Sequence, residues 1–228
     1  MELFVAAALA GFSVNVVARR TLSCADVEGS PRWVWLIGNV FQTAILPALT
    51  YQAWRQTPAD SFGGWVTAPQ ELLTAWDRLA VAALFGYFLK DLIEEQAALF
   101  HVHHIFCGGM MVGAVFVLPA GGAGVLIGGC VLEVGTASYG WSRLAPQSLL
   151  ARHLYTVVMT LSNATAAAVY VFCAYTLRAT ISAAVSASYG VVVAGLLGLR
   201  QYYCHLDVVK HRKPAVERRR APEARKTR

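Results

Sequence analysis

Apolar residues in this chain come in long, nearly unbroken runs rather than in amphipathic stripes. Seven such runs cover residues 2–17, 33–51, 75–94, 97–118, 121–139, 154–177 and 181–203. Each is close to the roughly 20 residues that an α-helix needs to cross a bilayer. Lipid offers no partner to a backbone N–H or C=O, so a span must satisfy its own polar groups as a helix or as part of a closed barrel. The runs lack the alternating segments of about ten residues that build a transmembrane barrel. The pattern therefore predicts an all-α, polytopic transmembrane bundle of about seven spans. Arg19-Arg20 closes the first run, Pro31 precedes the second, and Pro119 with Gly121-Gly122 predicts a tight turn between the fourth and fifth. The longest connection, 52–74, holds Pro58, Gly63, Gly64 and Pro69. Small residues inside the runs, such as Gly108, Gly109, Gly113, Gly124, Gly128 and Gly129, predict helices that approach closely.

Composition agrees with that pattern: 57% of the residues are hydrophobic and 14% charged, against about 25% charged in soluble domains. The formal net charge of +6 resides wholly in the last segment, where residues 205–228 carry nine Lys/Arg against three acids. A basic segment after an apolar run predicts attraction to anionic lipid headgroups, and no nucleic-acid surface is implied. Lys/Arg counting sets orientation. With the N-terminus outside (lumenal) and the C-terminus cytosolic, 16 Lys/Arg face inside, among them Arg19, Arg20, Arg32, Lys90, Arg143, Arg152 and Arg200, against Arg55, Arg78 and Arg178 outside. Ala8-Leu9-Ala10 resembles a signal-peptide cleavage site. The preceding segment has no positive charge and contains Glu2, so the first run is read as a retained span. Asn163-Ala-Thr165 matches the glycosylation pattern but lies inside the sixth run, out of a transferase's reach. The five cysteines are far apart and form no CxxC pair, which indicates neither a disulfide framework nor a metal site.

Ionisable groups inside spans are costly and therefore mark candidate sites. The densest group is Lys90-Asp91-x-x-Glu94-Glu95 followed by His101-x-His103-His104, at the junction of the third and fourth runs. A neutral imidazole can accept and return a proton near pH 7. His103 and His104 project about 100° apart on a helix, so one is expected to face the bundle interior and the other its rim. The alternative for Lys90, Asp91, Glu94 and Glu95 is a solvated interfacial loop. Glu133 stands alone in the fifth run, with Thr136, Ser138 and Tyr139 after it. His104 lies 15 residues before Pro119 and Glu133 lies 14 after it, which puts them at nearly equal depth. A hydrogen bond between Glu133 and a histidine of the pair is the expectation; a packing bond to Ser138, Tyr139 or a backbone carbonyl is its rival.

Gly86-Tyr87-Phe88-Leu89-Lys90-Asp91-Leu92, then His103-His104, then Glu133-x-x-Thr136, together resemble the TLC domain, the multi-span membrane family that contains the ceramide synthases. The resemblance covers roughly residues 33–203. It divides the chain into a first span and cytosolic loop (1–32), a TLC-like membrane domain (33–203) and a basic cytosolic tail (204–228). It implies a bundle in the endoplasmic reticulum, with the plasma membrane or Golgi as alternatives, and an interior that accommodates lipid. His103, His104, Glu133 and Asp91 become candidate catalytic residues, and Tyr87, Phe88, Thr136 and Tyr139 candidate lipid contacts. The acidic run that follows the His pair in ceramide synthases is here Gly108-Gly109-Met110-Met111, which points to a divergent, non-synthase member. The expected function is lipid homeostasis by binding or sensing acyl lipid. The alternative is an acyltransferase of ceramide-synthase type, with acyl-CoA as substrate. No cofactor or metal is expected, membrane lipids are the expected partners, and a homodimer is the candidate assembly. A retinal protein would need a lysine in the seventh run, which has none, and the histidines are too few for a di-iron oxygenase.

Overall fold

The computed structural model describes residues 2–22, 26–27, 30–92 and 98–211. Apart from a two-residue strand pair, β1 (Asp26–Val27) with β2 (Ser30–Pro31), the regular structure is helical. The long helices fall on the seven apolar runs: α1 (Glu2–Thr21), α2 (Arg32–Val40) continuing through a π-turn (Phe41–Ile45) into α3 (Leu46–Gln56), and then, after the short α4 (Phe62–Val66), α5 (Ala75–Leu92), α6 (Ala98–Phe116), α7 (Gly122–Leu144), α8 (Leu149–Thr176) and α9 (Ala183–His211). Among the described residues four helices are both long and apolar enough to cross a membrane: Arg32–Gln56, Gly122–Leu144, Leu149–Thr176 and Ala183–Val208. Helix α1 and the His101–Phe116 part of α6 are shorter apolar helices. Large apolar side chains stand exposed along α8, among them Leu150, Leu154, Val157, Leu161 and Val171. So extensive an apolar exterior is unfavourable in water and natural in lipid, which is consistent with an integral membrane protein.

Helix α7 is the axis of the bundle, packed against α2, α3, α4, α5, α6 and α8, while α1 lies along α5 and α9 along α8. The α1–α5 contact depends on missing side chains: a Cβ on Gly86 would come within 2.5 Å of the Ala7 carbonyl oxygen, and one on Gly11 within 2.6 Å of the Gly86 oxygen. Helix α1 is thus built into the bundle. The core runs from Phe4 and Leu46 through Leu84, Phe88 and Met111 to Leu126.

Two irregular segments shape the interior. Pro47 has no N–H for the Thr43 carbonyl, and the helix widens into the π-turn directly before it, which directs Gln42 inward, where it is 3% exposed. The connection after α3 folds back into the bundle. Trp65 is buried and donates from Nε1 to Asp77 Oδ1 at 2.8 Å. Asp77 Oδ2 accepts from the Thr74 N–H and hydroxyl, both at 2.7 Å, so one carboxylate caps α5 and anchors the loop. The same loop clasps the α6–α7 turn: Gln70 N–H donates to the Pro119 carbonyl at 2.9 Å and Gly121 N–H to the Ala68 carbonyl at 3.1 Å. Gly121 has φ 83°, a left-handed conformation in which glycine is unstrained, so the predicted turn stands where expected.

Candidate functional site

An elongated cleft, partly open to the surroundings, lies between α6, α7, α8 and α9. Its walls are apolar: Met110 and Met111 of α6, Val125 and Gly128 of α7, Val169 and Cys173 of α8, and Val193 and Leu196 of α9. One end reaches Leu118, Gly121, Arg178 and Ile181. The other ends on His103, Glu133 and Arg200. Along α7 the distance from Gly121 to Glu133 is about 18 Å at 1.5 Å per residue. One leaflet of a hydrocarbon core about 30 Å thick measures about 15 Å, a depth comparable with that stretch of lining.

The polar floor is assembled from separate elements. Glu133, near the middle of α7, is 5% exposed and its Oε2 accepts from Gln42 Nε2 at 2.6 Å. The same Gln42 nitrogen lies 3.1 Å from the Tyr87 hydroxyl, so the π-turn ties α7 to α5 through one amide. The predicted bond between Glu133 and the His pair does not form, nor does its rival to Ser138 or Tyr139; Gln42, brought inward by the π-turn, takes that place. Arg200 donates from Nε to Asn163 Oδ1 at 3.0 Å, from one terminal nitrogen to Thr136 Oγ1 at 2.8 Å, and from the other to the Leu132 carbonyl at 2.7 Å. Arg200 and Glu133 act on each other's charge across the floor without a direct ion pair between them.

The histidines part as their 100° offset predicts. His103 faces the cleft, with Nδ1 at 3.4 Å from Cys107 Sγ. His104 turns toward α5: its ring stacks on Phe88 at 5.3 Å and 19°, and its Nε2 lies 3.8 Å from Asp91 Oδ2. Among the described residues its buried Nδ1 has no hydrogen-bond partner. Asp91 is paired with Lys90, and both are buried, at 5% and 3% exposure, rather than forming a solvated loop. Glu94 and Glu95 lie outside the described residues, as do Cys24 and the basic tail beyond His211.

Of the expected lipid contacts, Phe88 lines the cleft and Thr136 reaches it through Arg200. Tyr87 stacks on Phe41 at 4.6 Å behind the floor. Tyr139 packs elsewhere, against Trp35 at 5.6 Å and Tyr155 at 5.4 Å. Gln42, Asn163 and Arg200 escaped the sequence reading. In the sequence Arg200 reads as a charge flanking the seventh run, although it lies within it, where the rule for intramembrane charges applies. Asn163 signals there only a glycosylation acceptor. Among the described residues no group of three or more His, Cys, Asp or Glu could hold a metal ion.

No protein-family model, curated protein or solved structure matches this chain.

Proposed function

We propose that this chain is an integral membrane protein of TLC type that holds one acyl chain in the cleft between α6 and α9 and acts in lipid homeostasis by binding or sensing that lipid. The observation that carries the reading is one cavity whose apolar length suits a single chain and whose end is closed by His103, Glu133 and Arg200. Buried charges inside a bundle are retained at a cost and serve substrates or pathways. In this reading all seven long helices cross the membrane, with the N-terminus lumenal and the C-terminus cytosolic in the endoplasmic reticulum. His103 stands near the start of α6 and Arg200 toward the end of α9, so the floor then faces the cytosolic side. A second reading, acyl transfer from acyl-CoA, is favoured by one feature: His103 shares the cleft with Glu133 and could serve as base. Turnover of acyl-CoA by the purified protein separates the two.

A photoactivatable fatty acid fed to membranes tests the lipid site. Label is expected on peptides of α6–α9. Gly128 lines the cleft, and a Cβ there would meet nothing within 4 Å, so Gly128→Leu starts its side chain in open space and narrows the cavity. It is expected to cut labelling several-fold with unchanged expression. Undiminished labelling in Gly128→Leu would remove the site.

A further inference from the structure

The charge layout of the cleft floor restricts the head of the lipid it takes. Arg200 is always protonated and carries five N–H donors. Three are used by Asn163, Thr136 and Leu132, which leaves one on each terminal nitrogen without a partner among the described residues. Glu133 has one oxygen bonded to Gln42 and the other free of a hydrogen bond among the described residues, and both residues line the same cavity. The floor thus offers N–H donors and a carboxyl acceptor to one cavity, on one basic and one acidic side chain. Behind it Lys90 is paired with Asp91. An ionised head would bring an unbalanced charge into an apolar enclosure, whereas a head that both accepts and donates would satisfy both groups at no such cost.

We infer that the cleft selects single-chain lipids with an uncharged head carrying both a hydrogen-bond acceptor and a donor, such as a fatty amide, with the carbonyl oxygen on Arg200 and the N–H on Glu133. This inference rests on the cleft being a lipid site. The amide is preferred over the carboxylate because Glu133 already supplies the negative charge beside Arg200. It is preferred over a bare hydrocarbon because the open N–H groups of Arg200 would otherwise stay without a partner.

The test uses the full chain in detergent micelles, with displacement of the photoactivatable fatty acid by three probes of one chain length: oleamide, oleate at alkaline pH, and the matching hydrocarbon. Oleamide is expected to displace the label at concentrations about tenfold lower than either of the others, the factor that a single charge-assisted hydrogen bond supplies. Arg200 ties α9 to α7 and α8, so its replacement could unfold the bundle; Glu133→Gln avoids this, because its amide oxygen can still accept from Gln42. That variant removes the negative charge and is expected to reverse the order, with oleate ahead of oleamide, an outcome that misfolding cannot imitate. Equal displacement by oleamide and the hydrocarbon, or an unchanged order in Glu133→Gln, overturns the inference while the lipid site stands. Failure of all three probes to displace the label removes the site and the inference together.

Discussion

At the scale of single residues, the floor depends on a tight bracket around Arg200. A Cβ on Gly135 would lie 2.1 Å from Ser162 Oγ and 2.7 Å from an Arg200 terminal nitrogen. Gly135→Ala is expected to destabilise by about 1–3 kcal/mol through overpacking, read as a lower thermal midpoint in detergent. Adding Ser162→Ala should return part of the loss, because it removes the nearest obstacle; no recovery would mean that the crowding lies elsewhere. His104 makes the opposite case. Its buried Nδ1 has no partner among the described residues and its ring lies against Phe88, so a ring without nitrogens fits the same space. His104→Phe is expected to change stability by less than about 1 kcal/mol, since it removes an unsatisfied group together with a long contact to Asp91. If that variant folds normally and stops taking the photoactivatable lipid, His104 serves the lipid; if labelling is unchanged, its role is packing.

At the scale of elements, α9 is the loosest wall of the cleft. It rests on α8 and barely touches α6. Tyr189 bridges the gap, its hydroxyl donating to the Met110 carbonyl at 3.3 Å, and Gly113 leaves room for it, since a Cβ there would stand 3.0 Å from that oxygen. A second cavity, lined by Gly113, Val117, Ser188 and Tyr189, lies beside this bridge. A lipid reaching the cleft sideways from the bilayer would pass here. Tyr189→Phe removes a bond worth about 0.5–1.5 kcal/mol, so exchange of a bound chain should accelerate by up to about tenfold with little change in fold. Stopped-flow release of a fluorescent fatty acid measures this, and an unaltered rate would place the access route elsewhere. At the other side of the bundle, Asp77 serves the α5 N-terminus and Trp65 at once. Asp77→Ala is expected to cost about 1–3 kcal/mol, more than an isolated cap, because it also leaves the buried indole N–H unpaired.

At the scale of the whole molecule, the proposed orientation rests on the 16 to 3 distribution of Lys/Arg. The structure weakens two votes without changing the result: Lys90 is buried with Asp91, and Arg200 is engaged inside the bundle. Protease treatment of sealed microsomes should remove a C-terminal tag and spare an N-terminal one. The reverse pattern would overturn the seven-span arrangement with a lumenal N-terminus.

The helical segments and the α6–α7 turn were legible in the sequence because both are local. A run of apolar residues must satisfy its own backbone in lipid, and a Pro with glycines permits few backbone shapes. The separation of His103 from His104 was legible for the same reason, since helical periodicity acts within one turn. What only the tertiary structure decided is which distant polar groups meet. Depth counting brought Glu133 level with the His pair, but depth says nothing of rotation about a helix axis. That rotation is set by the packing of α7 against its neighbours, α8 above all, and a π-turn places Gln42 where a histidine was expected. Arg200 read as a flanking charge because hydropathy counts residues along one helix, whereas its three partners come from α7 and α8. The cleft itself is a property of four helices whose small and branched side chains leave space between them, and no single run encodes that space.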